Sequence, residues 1–164
     1  MFNVLFFYKS MATLGEQLQR AEKLSSDFIT REFFQFIKSV EKDMVELNKK
    51  QLNEESKDIY GEAIGFYSKA TEIITKGAKK AGEPFDAKDT GDFLGGLFAK
   101  IQGDMIVFGS TDNKTDIILD SDNWLSKDLF GLTDEDLQNL IETKFTPFII
   151  ELCRKNLDIW FTIH

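Results

Sequence analysis

Phe33, Phe36, Ile37, Val40, Met44 and Leu47 recur at spacings of three and four. On a helix this spacing gathers all six side chains into one stripe; on a strand it would scatter them over both faces. Glu41, Lys42, Glu46, Lys49 and Lys50 fall largely on the other side. A long amphipathic helix is therefore predicted, and its apolar face has to cover a core. A shorter stripe of Leu14, Leu18, Ala21 and Leu24 precedes it. Ser25-Ser26-Asp27 separates the two with residues that favour caps and turns. The helical pattern runs from Leu14 to Leu52.

Residues 53–91 read differently. Gly61, Gly65, Gly77, Gly82 and Pro84 punctuate them. A long loop is expected, with one helical turn around Thr71–Lys76, and loops of such length usually serve a function or pack on a partner. Residues 92–120 are expected to form a small antiparallel meander. Its strands are Phe93 to Ile101, Met105 to Phe108 and Asp116 to Leu119, joined by turns at Gly103-Asp104 and Thr111 to Lys114. Thr133 followed by Asp134, Glu135 and Asp136 marks a helix N-terminus, with Leu132 and Leu137 at the positions of a hydrophobic staple. Leu140 and Ile141 continue that face. Thr146 and Pro147 suit the cap and first position of a fresh helix, which would carry Phe148, Ile149, Leu152 and Leu157 inward. The expected fold is α+β: a long N-terminal helix, a long loop, a small antiparallel β-meander and C-terminal helices. Its organisation is an N-terminal arm, residues 1–10, and a single domain, residues 11–164, with the extended loop at about 53–91.

Composition narrows the chemistry. The chain has 164 residues, 42% hydrophobic and 29% charged, a globular balance that excludes wholesale disorder. Sixteen phenylalanines against three tyrosines favour dry cores and protein–protein contacts over wet recognition surfaces. A net charge of −8 argues against holding nucleic acid by its phosphates. The one histidine, His164, is the last residue, so a histidine-based zinc site or a Ser–His pair needs that end to fold back. Cys153, beside Ile149, Ile150 and Leu152, is alone and is expected to pack as a small apolar residue in a reducing compartment. No metal or cofactor is expected, and no enzymatic activity.

The first ten residues, MFNVLFFYKS, are apolar but lack a basic leader and a cleavage site, and Lys9 ends the run early. Neither a signal peptide nor a membrane span fits. Met11 is a second natural start. The expectation is a strand-like arm that pairs with a neighbouring subunit through Phe2, Val4, Leu5, Phe6 and Phe7. Tyr60, Phe66, Tyr67 and Phe85 in the long loop are further candidate intersubunit contacts.

Asp89-Thr90-Gly91 is the one tripeptide with a catalytic look. In aspartic proteases two such copies bring two carboxylates together to share a proton, so a single copy would require a homodimer using Asp89. Lys88 and Asp92 place charges where that site must be apolar. The structural alternative is a turn in which Asp89 accepts backbone N–H bonds, Gly91 takes positive φ and Phe93 enters the core. Asp120-Ser121-Asp122-Asn123-Trp124 lacks the alternation and glycine of a calcium loop. Gly95-Gly96 has no following Lys-Ser/Thr and is not a phosphate loop.

Tyr60-Gly61-Glu62-Ala63-Ile64-Gly65-Phe66-Tyr67-Ser68, Lys88-Asp89-Thr90-Gly91-Asp92-Phe93, Asp128-Leu129-Phe130-Gly131-Leu132 and Thr146-Pro147-Phe148 follow one another along the chain. In that order they resemble small virion proteins from phages and prophages of gut Bacteroidetes. They are similar, more distantly, to head–tail joining and tail-completion proteins of tailed phages. The resemblance spans roughly two-thirds of the chain and is carried by short signals. Asp92 departs from it, since a polar or basic residue usually begins that strand. The resemblance implies a non-enzymatic ring subunit of the phage neck, collar or tail. Its partners would be copies of itself and the portal or adjacent ring proteins. DNA would at most pass through the lumen, without sequence-specific binding, and no membrane is involved. Such a protein is made in the bacterial host cytoplasm and ends in the virion. The competing expectation is a cytoplasmic binding or regulatory module.

Overall fold

The structure, a computed structural model, describes residues 13–88, 91–120, 125–126 and 128–157. Thr13 opens the first helix, α1 (Leu14–Lys23), with a reciprocal cap. Its hydroxyl accepts from the Glu16 N–H at 3.2 Å, and the Glu16 carboxylate accepts the Thr13 N–H at 2.7 Å. Leu14 and Leu18 are exposed, so their stripe does not cover the core, contrary to the periodicity. α1 instead lies against the C-terminal helix, with Arg20 Nη1 donating to the Leu157 carbonyl at 3.5 Å.

Ser25 ends the interruption by accepting from the Phe28 N–H, and α2 (Ser26–Asn53) follows as the long helix expected. Ile37, Val40 and Met44 are buried in its stripe with Ala99, Leu140 and Phe145. Burying each large member contributes roughly 1.5–3 kcal/mol. Phe33 and Phe36 meet Phe145 edge-on at 5.3 and 6.2 Å, and Phe36 stacks on Phe148. A second cluster, Leu52, Ile64, Ala87, Phe93, Leu94 and Leu129, forms around the end of α2.

β1 (Leu97–Gln102) and β2 (Met105–Ser110) pair antiparallel about the Gly103-Asp104 turn, with Ile101 opposite Ile106 and Ala99 opposite Phe108. This register puts Ala99, Ile101, Ile106 and Phe108 on the face against α2. The mixed α+β architecture is as the sequence predicts, but the meander is shorter. The expected third strand is a helix, α5 (Thr115–Asp120). Asp112 turns the chain into it: its carboxylate accepts from the Lys114 N–H and its carbonyl from the Thr115 N–H. A three-residue apolar run has no period of its own, and this local turn decides its conformation. Phe93 is buried as expected, yet it sits in a one-turn helix, α4 (Asp92–Gly95), before β1 rather than in the strand. Gly91 caps α4 at φ +96°, the positive φ expected. Asp89 and Thr90 lie outside the described residues.

The expectation of a fresh helix at Thr146 is corrected. α6 (Asp134–Leu140), capped by Thr133, runs through a π-helical turn (Ile141–Phe145) into α7 (Thr146–Leu157) without a break. Thr146 is itself helical (φ −61°, ψ −48°), with its N–H on the Ile141 carbonyl. The wider turn shifts the carbonyl that the Pro147 ring would meet in a regular α-helix. Cys153 is half-buried in α7. No described helix is long and apolar enough to cross a membrane.

Candidate interaction surface

The segment after α2 is pinned by its own hydrogen bonds. Asp58, buried, accepts the N–H groups of Tyr60 and Glu62 on one oxygen, each at 3.0 Å, and the Ser126 hydroxyl on the other at 2.9 Å. Lys57 bridges to Ala63, and the tip between them holds Tyr60 out to solvent, 70% exposed. Phe66 then bridges to Pro84, with Phe85 N–H on the Gly65 carbonyl and Tyr67 N–H on that of Glu83. Between these pairings Ser68 caps α3 (Lys69–Ile74), which overlaps the expected turn but begins and ends two residues earlier. The expected long loop is thus a paired excursion carrying its own helix.

Beneath it lies a polar clamp. The Tyr67 hydroxyl donates to Asp86 Oδ1 at 2.6 Å, and Lys79 Nζ donates to Asp86 Oδ2 at 2.5 Å. The Lys88 N–H adds a third bond at 3.0 Å, and the Lys79 ammonium sits 5.2 Å from the centre of the Tyr67 ring. Burial opposes ionisation of Asp86, but bonds from Lys79, Tyr67 and Lys88 outweigh it and hold the carboxyl below its ordinary range. Burial likewise opposes the charge on Lys79, yet bonds to Asp86 and Tyr67 raise its pKa. Burial, then the bond to Asp86, pushes the Tyr67 phenol up. A cavity of about 180 Å³ adjoins the clamp, walled mainly by apolar parts of Tyr67, Phe85, Phe93 and Ile118.

This geometry sorts the candidate contacts. Tyr60 and Phe66, the latter 56% exposed, point outward. Tyr67 does not: at 7% exposure, with its hydroxyl bonded, it is a core residue, which corrects its assignment to an intersubunit surface. Phe85 is half-buried against the second cluster, its ring 5.5 Å from that of Tyr67. Phe2, Val4, Leu5, Phe6 and Phe7 lie outside the described residues. Sequence reasoning passed over Ile73 and Ile74 on α3, which are 76% and 79% exposed. Two adjacent isoleucines in a polar turn were the available signal, since both cannot face inward on so short a helix.

A second apolar surface is a groove of about 700 Å³. Ile29, Phe33 and Ile37 of α2 form one wall, and Leu137, Ile141 and Ile149 of the α6–π–α7 rod form the other. Ile106 and Asp104 of the hairpin also line it. It shares no residue with the exposed set on the excursion.

Asn48 and Gln51 also escaped the sequence reading. Asn48 Nδ2 donates to the carbonyls of Leu129 and Gly131, and Gln51 Oε1 accepts the Thr133 N–H. Both are buried and fasten the segment before α6 to the end of α2.

No family model, curated protein sequence or solved structure matches the chain.

Proposed function

We propose that this chain is a structural virion protein, one subunit of a ring in a phage neck or tail that joins portal to tail around the DNA channel. The carrying observation is that one chain presents two different apolar surfaces. One is the pinned excursion with Tyr60, Phe66, Ile73 and Ile74 outward; the other is the groove between α2 and the α6–π–α7 rod. Closed rings use heterologous contacts, in which one face of a subunit meets a different face of the next. Large exposed apolar side chains held on a hydrogen-bonded support suit a protein partner. The resemblance of the Tyr60–Ser68, Lys88–Phe93 and Asp128–Leu132 stretches to head–tail joining proteins supplies the particular setting. The charge of −8 suits a channel wall that DNA passes without binding.

The test has two arms. Light scattering on the full chain is expected to give a multi-subunit mass, and the triple variant Phe66→Asp, Ile73→Asp, Ile74→Asp a monomer with unchanged circular dichroism. Mass spectrometry of purified particles is expected to find the protein in the virion. Its absence from particles would overturn the reading.

A further inference from the structure

We infer that the groove between α2 and the α6–π–α7 rod receives residues 2–7 of a neighbouring copy of this chain. The inference rests on the ring reading above and names the occupant of its groove face, which leaves the excursion to meet the neighbour outside the groove.

The groove suits an extended apolar segment. Leu137, Ile141 and Ile149 mark its length along one rod, and twelve residues of helix rise about 18 Å. Six extended residues span about 20 Å. In Phe2-Asn3-Val4-Leu5-Phe6-Phe7 five of the six side chains are apolar, so the segment offers apolar groups to both helical walls at once. Charge agrees as well. Among the described residues Asp104 is the one charged residue lining the groove, and Lys9 is the one charged side chain in the first ten residues of the sequence. Seated along the groove, the segment places its apolar run between the walls and leaves Lys9 free to pair with Asp104.

The groove is also where the rod departs from regular geometry. The π turn, Ile141–Phe145, contributes Ile141 and Phe145 to the lining. Such turns concentrate at functional sites because they re-aim side chains that an α-helix would place elsewhere. Leu137, Ile141 and Ile150 remain exposed along the groove, although Phe145 and Ile37 at its base are buried. The described chain begins at Thr13, the cap of α1, and α1 lies against α7. The five residues from Lys9 to Thr13 supply about 15 Å of tether with which to cross to a neighbour.

The test is disulfide trapping on the full chain. Phe6→Cys and Ile141→Cys are combined in a Cys153→Ser background, oxidised and run on a non-reducing gel. The expected result is a ladder of linked subunits. A control pairing Phe6→Cys with Glu62→Cys, at the exposed Asp58 turn, is expected to give at least tenfold less. A disulfide confined within single chains would overturn the neighbour assignment, and equal trapping at both sites would overturn the groove. Light scattering on the same samples separates the two proposals. Multi-subunit mass without trapping defeats the groove while leaving the ring, whereas monomeric mass without trapping defeats both. As a second variant, Ile141→Lys alters a surface-accessible position and is expected to reduce the assembly to monomers with an unchanged melting curve.

Discussion

The ring of Phe36 lies over that of Phe148 with centroids 4.1 Å apart and planes 8° from parallel. Phe145 meets Phe36 edge-on from the same rod, so three rings join α2 to the C-terminal helices. Phe148→Ala removes one member and opens a half-buried void. It is expected to cost about 2–3 kcal/mol by urea unfolding, and Phe148→Leu about 1 kcal/mol, since leucine refills most of the space.

Asn48 satisfies two carbonyls from inside the protein, and no water can replace a donor there without a cavity. Asn48→Leu keeps the volume but strands both acceptors, at an expected cost of about 2–3 kcal/mol. Asn48→Asp should be worse at neutral pH, because it turns a carboxylate toward the carbonyls of Leu129 and Gly131. Denaturant midpoints of the three proteins, read at equal m-value, check the order.

The Asp86 clamp makes stability depend on pH at both ends. Asp86 binds its proton less readily folded than unfolded, so its contribution is present above the ordinary aspartate value of 3.8 and fades as pH falls through its lowered folded value. Lys79 and Tyr67 hold their protons more tightly folded. Their contributions are complete below the ordinary values of 10.5 and 10.0 and are lost as pH rises through the raised ones. Asp86→Asn is expected to lower stability by about 1 kcal/mol at pH 7 and to flatten the acid limb of a melting-temperature profile.

Gly91 has open space where a side chain would begin, so any penalty there comes from the backbone alone. At φ +96°, Gly91→Ala should cost about 1–2 kcal/mol and Gly91→Val more. Gly109 is the converse. Its φ is unremarkable, but an added Cβ would stand 2.7 Å from the Phe98 ring, so Gly109→Ala is expected to destabilise by displacing Phe98 from the hairpin. Combining Gly109→Ala with Phe98→Ala should recover part of that loss, which a double-mutant cycle measures.

What the sequence disclosed follows from how local each signal is. The α2 stripe was legible because several turns of helix repeat one pattern, and Ser25 and Thr133 were legible because capping is a contact three residues long. Leu14 and Leu18 misled because periodicity shows that a face exists without showing what covers it. Asp116–Leu119 misled because its three apolar residues fit either period, and the Asp112 turn settled the matter. Pro147 signalled a helix start by the usual rule, but a π turn one residue wider gave the ring room. On the candidate surface, Tyr60 and Phe66 are exposed whereas Tyr67 is buried, because its environment depends on Asp86 and Lys79, nineteen and twelve residues away in the chain.

Asn48 and Gln51 carry a consequence for synthesis. Their partners at Leu129, Gly131 and Thr133 leave the ribosome more than eighty residues after them. Until then the most regular element of the molecule is a finished helix with the Asn48 amide and the Gln51 Oε1 unanswered and an uncovered apolar stripe. A nascent chain stopped before residue 133 should therefore expose α2 to chaperones and proteases. Full protection of its C-terminal half should arrive only as α6 emerges, because those late-made partners fasten the segment before α6 onto it.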